Sequence, residues 1–408
     1  MTYPAGRDGR PLTVLHAVQP TGAGVARYVA TVAADQLRRG WQVVVAAPPG
    51  GQLGADLAAH GVPWLHWPAG RAPGPRAIAE ARRLRRLVHQ VRPDVVHLHS
   101  AKAGLSGRLA LHGSVPTLFQ PHGWSWLAAN GGTARTALAW ERRAASWADV
   151  LLCVGDGEAE LARRNRVGTR HVVIRNGVDL ARFTPAGPAS RARARMRLGV
   201  GRQVPLALCL GRVARQKGQD VLLAAWSGVR RRCPRAELAV VGDGDLHAAL
   251  VRGAVPGGVR FVPPVADPRL WYSAADVVVL PSRWEGLSLT LLEALASGCP
   301  VIGSDIPGIA EALPGAAGAV VPPGDPAPLA WALVQRLADR ARCVAEGALA
   351  RVAAGAFDLR ETHEQLAALT VAVARRPGHV APCSGIRPGH EPASAPPRSA
   401  RPPIPRTA

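Results

Sequence analysis

The chain has 408 residues, a length that predicts two domains of ordinary size. Its composition, 48% hydrophobic with 44 Gly and 37 Pro, fits a globular α/β protein that carries a disordered part. The balance of 50 Lys+Arg against 28 Asp+Glu gives a net charge of +22, which suits nucleotides, acidic lipids or nucleic acid without choosing among them.

Short apolar runs alternate with helical patterns from the start. LTVLHAV (12–18) reads as a buried strand, followed by QPTGAG and a helix over 25–39. WQVVVAA, VPWLHW, DVVHLHS, VPTLFQPH, DVLLCVG and HVVIRNGVD continue the series to about residue 178. LARFTPAGPASRARARMRLGV then breaks it with turn residues and a basic helix. The pattern restarts with VPLALCLGR (204–212), AELAVVGDG, VRFVPPV, DVVVLPS and CPVIGSD, and GAVVPPGD offers one more short strand. Such alternation predicts two doubly wound α/β domains with parallel sheets, joined near Asn176–Pro185, with a ligand cleft between them. A last helical pattern spans 357–376, and the Pro-, Ser- and Arg-rich segment 377–408 reads as disordered.

Six scattered cysteines (Cys153, Cys209, Cys233, Cys299, Cys343, Cys383) form no CxxC pair, and no histidine cluster has metal spacing. Reduced cytosolic thiols are therefore expected, with no metal site. The N-terminal apolar run continues as a strand, unlike a signal sequence, and no stretch nears the ~18 apolar residues of a spanning helix. The expectation is a cytoplasmic protein, with peripheral contact at the inner face of the plasma membrane as an option. The segment 76–93 carries Leu84, Leu87, Val88 and Val91 at helical spacing, with Arg82, Arg83, Arg85 and Arg86 beside them. Those arginines suit anionic headgroups, or equally the solvated face of a helix covering a sheet. Only two basic residues are lysines, Lys102 and Lys217, which singles both out where a compact ammonium is needed.

Four segments carry groups that suit chemistry. In LGRVARQKG (210–218), Arg212 and Lys217 offer a fork and a point charge at a strand's carboxyl end, as a pyrophosphate requires; solvated charges are the alternative. In EGLSLTLLEALASGCPVIGSD a helix beginning near Leu287 would leave the N–H groups of Leu287, Ser288, Leu289 and Thr290 for an anion. Glu293, on its first or second turn, could accept from two vicinal hydroxyls. Glu285, before Gly286, stands where an attached sugar would reach. Alone, the two glutamates read as an arginine's partner (Glu293) and a loop surface charge (Glu285). In PTGAG (20–24), Gly22 and Gly24 would let backbone approach phosphate, or simply make a tight turn. In QPHGWSW (120–126), His122 can donate to a sugar hydroxyl beside tryptophan faces, or pack at a strand end.

Together these segments resemble glycosyltransferase family 4, retaining sugar-nucleotide enzymes of the GT-B fold. The likeness is most specific at EGLSLTLLEALASGCPVIGSDIPGIAE, whose E-x7-E frame looks like the family's donor signature. It runs on through LGRVARQKGQDVLL, VVGDGDL, IRNGVDLARF, TGAGVARYV, HLHSAKAGLSGRLA and PHGWSW, covering most of residues 12–375. The resemblance implies two Rossmann-like domains facing across a cleft: an acceptor domain (1–184) and a donor domain (185–356). It also implies a helix (357–376) returning to the first domain, ahead of the tail 377–408.

By the same resemblance, Arg212 and Lys217 would neutralise the donor diphosphate, helped by Gly24 and the helix start. Glu293 would hold ribose hydroxyls, Glu285 and His122 would contact the donor sugar, and the base would lie near Gly242, Gly244 and Val262. FVPPV stands where many members have a glycine, which leaves UDP and GDP both open. The implied reaction retains the anomeric configuration, with no metal and no cofactor beyond the nucleotide sugar. The implied acceptor is a glycan or lipid-linked sugar of cell-surface polysaccharide or glycolipid synthesis. A nucleotide-sugar epimerase is the alternative chemistry on the same fold. A nucleic-acid binder would show basic residues clustered with aromatics, which the sequence lacks, so no nucleic-acid partner is expected.

Overall fold

Strand after strand is buried on both faces, so each had to be a continuous apolar run, and each lies in an all-parallel sheet. The structure, a computed structural model, describes residues 10–376 apart from residues 73 and 254. The first sheet holds β1 (Thr13–Val18), β2 (Gln42–Ala47), β3 (Trp64–His66), β4 (Val95–His99), β5 (Thr117–Gln120), β6 (Val150–Cys153) and β7 (His171–Val173). Their order is β3-β2-β1-β4-β5-β6-β7. The second holds β8 (Leu206–Leu210), β9 (Glu237–Val241), β10 (Val259–Val262), β11 (Val277–Leu280), β12 (Val301–Ser304) and β13 (Gly318–Val321), in the order β10-β9-β8-β11-β12-β13.

Strand order reverses beside β1 and again beside β8. In a doubly wound sheet that switch point opens a crevice at the strands' carboxyl ends. The expected basic helix after the break is Pro188–Arg197, tied down where Arg191 and Arg195 both bond Asp276. VPWLHW yields only the three-residue edge strand β3, with Trp64 exposed.

The helix Leu359–Ala374 belongs to the first sheet's core although it follows the second in sequence. Leu366, Ala367 and Val373 share one apolar cluster with Val14 and Val29. Arg39 meets Glu364 at 2.9 Å, and Val178 pairs with Asp358 where the two connecting segments pass. The expected tail 377–408, with Cys383, lies outside the described residues.

The helix Arg76–Val91 turns Leu84, Leu87 and Val88 inward and leaves Arg82, Arg85 and Arg86 exposed, with Arg83 half-buried. Its inner face also carries Glu80, which receives Lys102 at 3.0 Å, both side chains buried. The Lys102 ammonium also donates to the Ala72 carbonyl at 2.6 Å. Lys102 is thus half of a buried ion pair under the sheet. Among the described residues no helix is long and apolar enough to cross a membrane.

Candidate active site

The carboxyl end of β8 runs into a tight 3-10 turn, Arg215–Lys217, which folds Lys217 back toward the loop after β11. There Lys217 Nζ donates to Glu285 Oε1 at 2.5 Å, and Ser282 Oγ donates to the same oxygen at 2.8 Å. Gln216 links the rest: it accepts from Arg212 Nη2 at 3.2 Å, and its amide donates to Glu285 Oε2 at 3.4 Å and to the Trp284 carbonyl at 3.1 Å. Two cations and one carboxylate therefore share a network. Glu285 is 8% exposed, so it is no loop surface charge.

The helix of the E-x7-E frame begins two residues later than expected, at Leu289. Leu287 is buried, and its carbonyl accepts from Asn176 Nδ2 at 2.7 Å, which holds that residue outside the helix. Ser288 is extended and supplies the first helical acceptor, to Leu292 N at 3.2 Å. The N–H groups left ahead of that bond are those of Ser288, Leu289, Thr290 and Leu291, and Leu287 drops out of the set. Gly24 faces this point from the other domain: a Cβ there would sit 3.7 Å from Leu289. Gly22 caps the helix Ala23–Arg38 in an extended conformation with open space around it.

Glu293 lies on the second turn, buried, with Tyr272 donating to Oε2 at 2.9 Å and Arg27 paired to Oε1 from across the cleft. Burial pushes its carboxyl above the ordinary range, and the Arg27 charge and the Tyr272 hydroxyl pull it back only in part.

His122 follows β5 with φ 51, the left-handed region. Among the described residues six non-glycine residues share that sign: Arg92, His112 and Arg166 end helical segments, where it is ordinary. The other three, Ala23, Ser100 and His122, follow β1, β4 and β5 on the carboxyl side of those strands. Strained backbone gathers at functional sites. His122 Nε2 meets His99 Nδ1 at 3.1 Å, and burial holds its pKa down at about 3, so the ring is neutral.

The model of Glycosyltransferase Family 4 matches residues 22–182, and that of Glycosyl transferases group 1 matches 204–339. A GDP-mannose-dependent alpha-(1-6)-phosphatidylinositol monomannoside mannosyltransferase of Mycobacterium tuberculosis is 33% identical over 290 residues, 66% of this chain and 73% of its own. This chain belongs to glycosyltransferase family 4. A GDP-mannose-dependent monoacylated alpha-(1-6)-phosphatidylinositol monomannoside mannosyltransferase of Corynebacterium glutamicum is 36% identical over 192 residues, 43% of this chain. The chain spans about half of that relative's length, 49%. In shape it resembles Anabaena HepE, solved in complex with UDP and glucose, at a TM-score of 0.76 and 20% identity. That likeness covers 88% of this chain and 100% of HepE, and it shows the GT-B fold.

In this family 4 chain several expected residues come together and others do not. Arg212, Lys217 and Glu285 share one network, and Leu289 faces Gly24. Trp124 is not a sugar face: it is fully buried, its indole donating to the Glu158 carbonyl at 2.8 Å, with Trp126 stacked on it. Gly242 and Gly244 have a packing reason of their own. A Cβ would stand 2.1 Å from the Gly211 carbonyl and 2.2 Å from that of Val213, because the loops after β8 and β9 meet backbone to backbone. Val262 ends β10, and its carbonyl accepts from Gly242 N at 2.9 Å. Gly286 packs against Val154 of the first domain.

Arg27, Tyr272 and Gln216 were absent from the expected set. Arg27 could have been found, since it lies three residues past Gly24 inside TGAGVARYV. Tyr272 carried no local signal. No metal spacing was visible in the sequence, yet the fold gathers His16, His97 and His99 within 4.8 Å of one another.

Proposed function

We propose that this chain moves a sugar from a nucleotide diphosphate sugar to a glycan or lipid-linked acceptor, retaining the anomeric configuration. GDP-mannose is the favoured donor and a glycolipid the favoured acceptor, because the similar mannosyltransferases are named for both. The observation that carries the reading is the Arg212–Gln216–Glu285–Lys217 network at the carboxyl end of β8, with His122 and Gly24 on the other domain.

As the glycosidic bond breaks, negative charge builds on the leaving diphosphate and positive charge on the sugar ring. Arg212, Lys217 and the N–H groups of Leu289 and Thr290 would then bind the transition state more tightly than the ground state. Attack from the same face as departure, with the diphosphate taking the acceptor's proton, gives retention. The two cations do the work that a metal does elsewhere, so neither metal nor cofactor is required. Glu285 orients sugar hydroxyls, Glu293 takes the ribose, and the base sits near Gly242, Gly244 and Val262. The exposed Arg82, Arg85 and Arg86, beside exposed Ile78, would hold the chain at an anionic membrane carrying the acceptor.

Thermal unfolding in the presence of GDP-mannose, UDP-glucose and ADP-glucose tests the reading. At a hundredfold excess over Kd a true donor adds about 2.7 kcal/mol. GDP-mannose is expected to raise Tm, and Arg212→Ala to abolish the rise. If no nucleotide sugar stabilises the protein and Arg212→Ala changes nothing, the donor site is wrong. An α-linked product from an α-donor, formed at an undiminished rate with EDTA, checks retention and metal independence.

A further inference from the structure

Behind His122, the first sheet buries polar rings that the donor site does not account for. His16 on β1 and His97 and His99 on β4 are all 0% exposed. The two strands are parallel neighbours, with His16 opposite His97 and Val18 opposite His99. Because side chains alternate along a strand, His97 and His99 share one face of β4.

Three of the rings join end to end. His16 Nε2 meets Gln36 Oε1 at 2.7 Å, His16 Nδ1 meets His99 Nε2 at 3.0 Å, and His99 Nδ1 meets His122 Nε2 at 3.1 Å. A neutral imidazole has one donor and one acceptor nitrogen. The direction of one bond in such a chain therefore fixes the direction of all. With the Gln36 oxygen accepting, each ring carries its proton on Nε2, and His122 Nδ1 is left as a lone pair. Turning the amide over would reverse every bond and put the proton on His122 Nδ1; the placement of oxygen and nitrogen in an amide is an assignment. Burial keeps the rings uncharged: it lowers His16 to about 4, His122 to about 3, and His97 and His99 well below the usual value.

We propose that Gln36, His16 and His99 are positioning residues that set the tautomer of His122, so that its Nδ1 accepts a hydrogen bond from a hydroxyl of the donor sugar. This rests on His122 meeting the donor sugar as proposed above. The order of the chain gives the reason for burying so much polarity. Without partners on its inner side, the neutral His122 ring would populate both tautomers, and only one offers a lone pair to a hydroxyl. His97 stands outside the chain, its ring centroid 3.9 Å from that of His99. A metal held by His16, His97 and His99 is the competing use of the cluster, but His16 and His99 already spend both nitrogens on the chain.

The test is nitrogen NMR of the full chain labelled in its histidines, without donor. The signals are assigned by single replacement, and the wild-type protein is also analysed for bound zinc. We expect His16, His99 and His122 all protonated on Nε2 in the wild type. In Gln36→Leu, His122 should become a mixture of tautomers, with kcat down about tenfold, the lower end of what outer partners of a functional imidazole contribute. Donor KM should change little. Gln36→Glu keeps an acceptor at this point and should restore both tautomer and kcat; if Gln36→Leu does not fold, Gln36→Met keeps the side chain's length. A His122 tautomer unchanged by these substitutions, rings protonated on Nδ1, or stoichiometric zinc each overturn the proposal. The tautomers are read without donor, so this idea can fail while GDP-mannose still raises Tm. If no nucleotide sugar binds, the sugar contact of His122 falls with the donor site, while the tautomers still report whether Gln36, His16 and His99 orient the ring.

Discussion

Arg27 and Glu293 stand 266 positions apart in the chain and form an ion pair across the cleft. Each belongs to a different sheet's helix layer, so the pair exists only when the two domains face each other. The carboxylate proposed to hold ribose is thus already engaged by an arginine from the opposite domain, and an arriving donor must share or displace it. Removing Arg27 leaves a buried carboxylate with Tyr272 alone. A fully buried pair loses about 3–5 kcal/mol when one partner goes, and Arg27 is partly exposed, so about 1–3 kcal/mol is expected for Arg27→Ala. Urea unfolding measures it. A midpoint equal to wild type would show that the pair contributes nothing.

The two lysines should separate by phenotype. Lys102→Met strands Glu80 in the interior and should cost about 3–5 kcal/mol of stability, seen as a lower unfolding midpoint. Lys217→Ala removes a cation from beside the proposed leaving group and should lower kcat by about 10²–10³, with a stability loss of only about 1–3 kcal/mol because Glu285 keeps Ser282 and Gln216. The reverse pattern would exchange their assignments.

Acidification should destabilise the protein below about pH 6.5. Burial lowers His16 to about 4 and His122 to about 3, with His97 and His99 also well down. In that window the unfolded chain binds protons that the native rings refuse. The stability is therefore complete above the unfolded value and is lost as pH falls, by about 1.4 kcal/mol per pH unit for each such ring. Glu158, raised to about 7 by burial, works the other way, its share being lost as pH rises through its window. Glu293 and Glu311, also raised by burial, act in that sense. His363 is lowered by burial as well, and among the described residues five such histidines outnumber three such carboxyls, so urea midpoints should fall from about pH 6.5 to about pH 5. A flat profile would mean that the native rings take up protons.

Vesicle binding tests the arginine face. Replacing Arg82, Arg85 and Arg86 with Gln should weaken cosedimentation with anionic vesicles by roughly 1 kcal/mol per residue, and salt should weaken it in the wild type too. Binding that survives the triple replacement places the membrane contact elsewhere.

Much of the molecule was legible because its signals are local. A parallel strand buried on both faces must be an apolar run, so LTVLHAV, DVVVLPS and even GAVVPPGD announced β1, β11 and β13 without any knowledge of neighbours. Arg212, Lys217 and Glu285 were legible because strand ends carry ligand groups in this architecture. The E-x7-E helix starts two residues later than its sequence suggests, since nothing in EGLS reveals that Asn176 holds the Leu287 carbonyl.

By itself, then, the sequence determined two doubly wound domains and the segments that border their cleft, because periodicity and turn chemistry act over a few residues. Only the tertiary structure decided partnership. It put Arg27 on Glu293, sent Lys102 inward to Glu80 while Lys217 went to Glu285, buried Trp124, and lined up Gln36, His16, His99 and His122. Such pairings depend on the distance between groups tens to hundreds of positions apart. Charge pairing and hydrogen bonding act over a few ångströms, and sequence spacing carries no measure of that distance.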